Sequence, residues 1–145
     1  EQLLTSSKTL QEKIEKSKGI RFVIANNDPH YFVTVYKFGD KIATPVSDAL
    51  EKFNDSRFKD KKLKSTNLIF NEEYAITFII GLPNREEAMN YFESFNSQAA
   101  LLKPFSSYNF YNFVITKNNF DLFYRTKALD EYLTFFDRNY KKENQ

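Results

Sequence analysis

Apolar and polar residues alternate along the chain in patterns that predict four strands and two long helices. Four segments show the two-residue period of β-strands, at residues 31–36, 64–70, 74–80 and 110–116. Between the first two, Val46, Ala49, Leu50 and Phe53 follow the spacing of one helical face. Residues 84–95 repeat that spacing between the third and fourth strands. The predicted order is therefore βαββαβ.

This order is that of the split βαβ, or ferredoxin-like, plan. It predicts an α+β fold with a four-stranded antiparallel sheet and two crossover helices on one face. An additional helix is predicted at each end, over residues 1–20 and about 127–140. We expect residues 1–20 to be a helix or linker from a preceding region, residues 21–140 to be a single domain, and residues 141–145 to be a frayed tail. Because the chain begins at Glu1 without a methionine, we expect it to be a piece of a longer protein.

Local signals refine the boundaries of these elements. Thr44 followed by Pro45 predicts the start of the first crossover helix, and Asn84 with Glu87 predicts a capped start for the second. The run 71–73 predicts a tight hairpin between the second and third strands. Residues 97–107 have no clear period, and residues 119–124 predict only a short helical turn.

The strand period also divides the side chains between the two faces of the sheet. We expect the face opposite the crossover helices to present Phe32, Thr34, Tyr36, Asn67, Ile69, Ala75, Thr77, Ile79, Asn112 and Val114. That face is too apolar to stay in water, so either the C-terminal helix covers it or a partner binds there. The candidate binding residues are Phe32, Thr34, Tyr36, Asn67, Thr77 and Asn112, together with Tyr111.

The composition argues against an enzyme. The 145 residues include 16 Phe and 9 Tyr but one histidine, no cysteine and three isolated glycines. These counts exclude a thiolate nucleophile, a thiolate zinc site and a glycine-rich phosphate loop. His30 is predicted to be a turn or strand-edge residue with a local hydrogen bond, and the adjacent carboxylate pairs are predicted to stabilise turns and helix starts. The sequence therefore predicts no catalytic residue, no metal and no cofactor.

The charges are balanced, with 21 basic and 19 acidic residues. Sheet aromatics suggest RNA binding, but residues 73–80 lack the basic and glycine residues of such a strand, so we expect no nucleic-acid partner. No apolar run approaches the ~20 residues of a membrane span, so we expect none in this chain. Tyr36, Tyr108 and Tyr111 are either sugar-stacking residues or partly buried core residues.

Several segments resemble a C-terminal domain of large Bacteroidetes proteins. Residues 27–36, NDPHYFVTVY, look like its "DPHYVVLV" opening, and residues 78–88, which end in REEA, are similar to its "F-x-N-x-E-E-A" segment. NFYNFVIT at 109–116 with Asn119-Phe120 resembles its "Y-x-F-F-I-I-S…N" end, and residues 129–140 resemble its closing "Y-L-x-F-F-x-x-x-Y". The resemblance spans roughly residues 20–140 and departs from that pattern at 37–44.

The proteins in question are tetratricopeptide-repeat lipoproteins of type IX secretion and gliding motility. The resemblance implies a non-enzymatic scaffold domain in the periplasm, held at the outer membrane through an upstream lipid anchor. Its implied partners are other envelope or secretion-machinery proteins. The strand–turn–REEA–helix arrangement also looks like SPOR domains, which implies peptidoglycan glycan binding as the alternative.

Overall fold

The computed structural model describes residues 20–37, 39, 41–61, 63–105 and 108–141. The predicted N-terminal helix and most of the predicted tail lie outside these residues. The strands are β1 (His30–Lys37), β2 (Lys64–Ile69), β3 (Tyr74–Leu82) and β4 (Phe110–Thr116). The α-helices of the described residues are α1 (Ala43–Arg57), α2 (Arg85–Asn96), α3 (Ala99–Leu102), α4 (Lys117–Thr126) and α5 (Leu129–Phe136). Short 3₁₀ turns occupy Lys59–Lys61 and Lys103–Phe105, and a π-helical turn, Asp137–Lys141, follows α5.

The four strands form one antiparallel sheet in the order β2-β3-β1-β4. The two central strands, β1 and β3, are nearly continuous runs of buried residues, as expected for strands covered on both faces. The α+β class and the four-stranded antiparallel sheet are therefore confirmed. The edge strands differ, because β4 is mostly buried whereas five of the six residues of β2 are exposed.

One face of the sheet, here called the crossover face, packs against α1 and α2. The ring of Phe32 on β1 lies 5.0 Å from Tyr91 and 5.4 Å from Phe95, both on α2. Phe53 of α1 joins the same cluster, with its ring 5.0 Å from that of Tyr91. Strand pairing places Thr34 opposite Thr77 on this face, so the polar positions of both central strands also point toward the crossover helices.

The opposite face, here called the C-terminal face, packs against α4 and α5. Phe78 of β3 lies 5.0 Å from Phe120, and Phe113 of β4 lies 5.5 Å from Phe123 and 5.0 Å from Tyr132, measured between ring centroids. The expectation that C-terminal helical structure covers the face opposite the crossover helices is confirmed. The result is a three-layer arrangement with the sheet in the middle.

The predicted assignment of residues to the two faces is wrong. The set containing Phe32, Thr34, Tyr36 and Thr77 lies under the crossover helices and not opposite them. The two-residue period shows which side chains share a face. It does not show which helices cover that face when both alternating sets are apolar.

Most predicted helix boundaries hold, with corrections at capping positions. Asn84 caps α2, and its Oδ1 accepts a hydrogen bond from the Glu87 N–H at 2.9 Å. Thr44 is not a cap, because α1 begins at Ala43 with Ile42 at the capping position and no side-chain cap. The predicted final helix also starts too early, since Lys127 ends α4 in the left-handed region with φ of 58°.

Candidate functional site

The structure separates the seven predicted binding residues. Four are buried in the crossover face, with exposed fractions of 3% or less: Phe32, Thr34, Tyr36 and Thr77. Asn67 is exposed on β2 and Asn112 is half-buried on β4. Tyr111 is 38% exposed and points to the C-terminal face, because it pairs with Val35 and not with Tyr36. These residues do not share an open surface.

The polar members of this set form internal hydrogen bonds across the sheet. The Thr77 hydroxyl donates to Asn67 Oδ1 at 2.7 Å, and the Tyr36 hydroxyl lies 2.7 Å from Thr77 Oγ1. Since the Thr77 proton is used toward Asn67, Tyr36 donates to Thr77. This row of hydrogen bonds therefore connects β1, β3 and β2. Asn112 is likewise engaged, through an Nδ2 donation to Asn96 Oδ1 of α2 at 2.9 Å.

The tyrosines proposed for sugar stacking are also dispersed. Tyr36 is buried, whereas Tyr111 meets Tyr74 edge-on with ring centroids 6.4 Å apart. These two rings line a cleft of 370 Å³ beside Glu73 and the α4–α5 junction. A hydrogen bond to Glu73, with burial and Tyr111 adding to it, raises the pKa of Tyr74 to about 12. The Tyr74 hydroxyl is thus a neutral hydrogen-bonding group in this cleft.

The edge of β2 presents unpaired backbone. The Phe70 N–H donates to the Tyr74 carbonyl at 2.9 Å, so this pair faces β3. Pairing continues without a bulge along β2, and antiparallel bonding alternates. Lys64, Thr66 and Leu68 therefore bond to β3, and the N–H and C=O groups of Ser65, Asn67 and Ile69 point away from the sheet.

Part of this edge is already closed. The Tyr124 hydroxyl of α4 donates to the Ile69 carbonyl at 2.7 Å, which covers the C-terminal end of the edge. Within the part of the chain that the structure describes, no backbone group pairs with the outward side of Ser65 or Asn67. Beside them lies a mainly apolar groove of 290 Å³, whose lining includes Leu68 and Ile69. Ile69 is 61% exposed, the most exposed large apolar residue of the sheet.

A side chain covers part of the other edge of the sheet, at β4. The Tyr132 hydroxyl of α5 donates to the carbonyl of Val114 on β4 at 2.6 Å. Burial, with Tyr140 adding to it, raises the pKa of Tyr132 well above its ordinary value, so this donor stays protonated. Since β2 is mostly exposed and β4 mostly buried, the β2 edge is the more accessible of the two.

His30 has a structural environment. Its Nδ1 lies 2.8 Å from the Asp28 carbonyl, which only accepts, so Nδ1 carries the proton. Its Nε2 then accepts from the Tyr140 hydroxyl at 2.8 Å. Burial is the main cause that lowers the His30 pKa, and the nearby Arg85 cation adds to it. The predicted local hydrogen bond is confirmed, but the contact with Tyr140, 110 residues away, gave no signal in the sequence.

Arg85 lies against Tyr140, the residue whose hydroxyl bonds to His30. Its guanidinium lies 4.4 Å from the Tyr140 ring centroid and donates to Asn26 Oδ1 at 3.0 Å and to the carbonyl of Asn139 at 2.5 Å. A polar groove of 670 Å³ runs alongside, over the start of α2. The first REEA residue thus attaches the C-terminal turn to the residues before β1.

Neither a metal site nor a membrane span emerges from the described residues. No group of three or more His, Asp or Glu side chains is placed to hold a metal ion among them. None of their helices combines the length and apolar character needed to cross a bilayer. No family model, curated protein or solved structure matches the chain.

Proposed function

We propose that this chain is a non-enzymatic protein-interaction domain that takes up an extended segment of a partner on the β2 edge. The observation that supports it is the outward-facing backbone of Ser65 and Asn67 at an exposed edge strand. Such groups bind an added strand through main-chain hydrogen bonds, and a neighbouring apolar groove selects its side chains. The groove beside Leu68 and Ile69 supplies that second element.

The remaining parts of the proposal concern fold and setting. We propose a ferredoxin-like βαββαβ unit, supported by the strand order β2-β3-β1-β4 and by α1 and α2 sharing one face. Helix α3 within the second crossover, and α4 and α5 after β4, are additions to that plan. The setting is the one that the resemblance implies: a periplasmic scaffold at the outer membrane, serving secretion or gliding motility.

Site-specific photocrosslinking in cells that express the protein tests the binding edge. A photoreactive residue at Thr66, exposed on β2, is expected to trap a protein partner, whereas one at Glu51, exposed on α1, is not. Adding Ser65→Pro removes an outward N–H without breaking the bonds to β3, and should abolish the Thr66 product. Equal yields at Thr66 and Glu51 would refute the proposal.

Glycan binding is the second candidate, favoured by the cleft between Tyr74 and Tyr111. A pulldown with purified sacculi separates the two. The interaction proposal predicts that the chain is not retained on glycan. Retention that Tyr111→Ala abolishes, and that Tyr108→Ala leaves intact, would favour the glycan candidate instead.

A further inference from the structure

We infer that the extended segment taken up by the β2 edge is β2 of a second copy of this chain. This inference rests on the proposed function and names the partner of the same edge. The two strands pair antiparallel about a two-fold axis through Thr66. The two four-stranded sheets then become one continuous eight-stranded sheet.

The open backbone groups of β2 are self-complementary. Ser65 and Asn67 each present an outward N–H and C=O that no backbone group of the described residues pairs with, whereas Tyr124 occupies the carbonyl of Ile69 and leaves its N–H. With Thr66 on the axis, Ser65 of one copy lies opposite Asn67 of the other. Each such pair exchanges two N–H···O bonds, so the open donors and acceptors of Ser65 and Asn67 all find partners. An isologous contact of this kind closes and leaves no free β2 edge.

The side chains of this register are compatible with close pairing. Thr66 faces its own copy across the axis, and Thr–Thr is a favourable cross-strand pair. A lysine on an edge strand normally hinders pairing with another strand. In this register Lys64 lies opposite Leu68 of the second copy and not opposite another lysine. Pairing between the two β2 strands therefore places no like charges opposite each other.

The two ends of β2 carry opposite charge. Exposed Lys59 precedes the strand and Lys64 begins it, while Lys61 between them pairs with Glu87 of α2 at 3.7 Å and Asp60 is the one acidic residue of the described part of this run. Exposed Glu72 and Glu73 follow it. Antiparallel pairing brings the basic end of each copy to the acidic end of the other. This charge complementarity favours a second copy over a strand with a uniform charge.

Sedimentation and light scattering of the 145-residue chain test the inference. A species of twice the 17.2 kDa chain mass is expected to form with increasing concentration. Ser65→Pro should weaken it more than about tenfold, because symmetry removes two N–H donors at once. Ser65→Ala keeps the N–H and is the matched control, expected to dimerise like the parent. Circular dichroism checks that both variants are folded.

A charge exchange gives a second test that does not depend on proline. A Lys59→Glu, Lys64→Glu variant, which spares the Lys61–Glu87 ion pair, and a Glu72→Lys, Glu73→Lys variant should each dimerise weakly alone, and their mixture should restore the dimer. A chain that is monomeric at all concentrations, or a dimer that Ser65→Pro leaves unchanged, would overturn the inference. If Thr66 crosslinks to a different protein in cells while the purified chain is monomeric, the proposed function stands and this inference falls.

Discussion

At the scale of single residues, buried polar side chains decide where the fold is sensitive. His30 is fully buried, and both of its nitrogens are engaged while the ring is neutral. Protonating Nε2 would oblige the Tyr140 hydroxyl to turn from donor to acceptor beside the Arg85 guanidinium. The neutral ring is therefore the form that the folded state favours, in agreement with its lowered pKa.

This environment predicts a pH dependence of stability. The folded-state pKa of His30 lies below the unfolded value of 6.5, so its contribution is complete above pH 6.5 and is lost as the pH falls toward the folded-state pKa. Urea unfolding of the parent and of His30→Gln at several pH values between neutrality and the carboxylate range measures it. The parent should lose more stability on acidification than the variant, which lacks the chain's one histidine. Parallel pH profiles would contradict the assignment.

Two buried threonines that face each other across β1 and β3 predict opposite responses to the same substitution. Thr34 Oγ1 is buried and has no hydrogen-bond partner among the described residues, whereas Thr77 joins Tyr36 to Asn67. Thr34→Val should leave the free energy of unfolding unchanged or raise it, because it removes an unpaired hydroxyl. Thr77→Val should cost about 1–3 kcal/mol, because it leaves the buried Tyr36 hydroxyl without its acceptor. Denaturant titration of both variants measures the free energy of unfolding. A larger loss of stability for Thr34→Val than for Thr77→Val would refute this assignment of hydrogen bonds.

At the scale of elements, the capping positions of the two crossover helices give a matched comparison. Asn84→Ala removes the acceptor for the Glu87 N–H and should destabilise the protein by about 0.5–2 kcal/mol. Thr44→Ala changes an exposed residue inside the first turn of α1 and should be nearly neutral. Thermal unfolding measures both. Equal losses would mean that Thr44 acts as a cap after all.

Elements whose signal is local were predictable from the sequence. The strands and the stripe Val46, Ala49, Leu50 and Phe53 follow from periodicity, and all four stripe residues are buried. The sequence predicts only a short helical turn over 119–124, whereas α4 spans ten residues, Lys117–Thr126. Its start is hidden in the sequence because the capping residue, Thr116, is also the last residue of a strand. The break before α5 falls at Lys127, whose left-handed backbone is unusual for a non-glycine residue. Its ammonium lies 5.1 Å from the Phe70 ring centroid, a tertiary contact with no local signal.

At the scale of the whole molecule, strand order determines which surface is open. The sequence identified apolar sheet faces, but helices cover both of them, and the accessible surface is an edge. Which strand lies at an edge depends on pairings between distant residues, such as Thr34 with Thr77 and Asn112. The contacts of Tyr132 with the β4 edge and of Tyr124 with the β2 edge depend on C-terminal helices added after the sheet. The candidate site was therefore not predictable from the strand pattern alone.

The three layers share one sheet, and this predicts that they unfold together. Ile79 lies on the crossover face and Ile115 on the C-terminal face, and both are fully buried. Ile79→Val and Ile115→Val should each lower the free energy of unfolding by about 0.5–1.5 kcal/mol, because each removes one buried methylene. Since β1 and β3 contribute side chains to both faces, neither layer can lose its packing without disturbing the strands that support the other. Unfolding followed by far-ultraviolet circular dichroism and by tyrosine fluorescence should therefore give coincident single transitions in the parent and in both variants. An early fluorescence transition confined to Ile115→Val would show instead that α4 and α5 detach from the sheet before it unfolds.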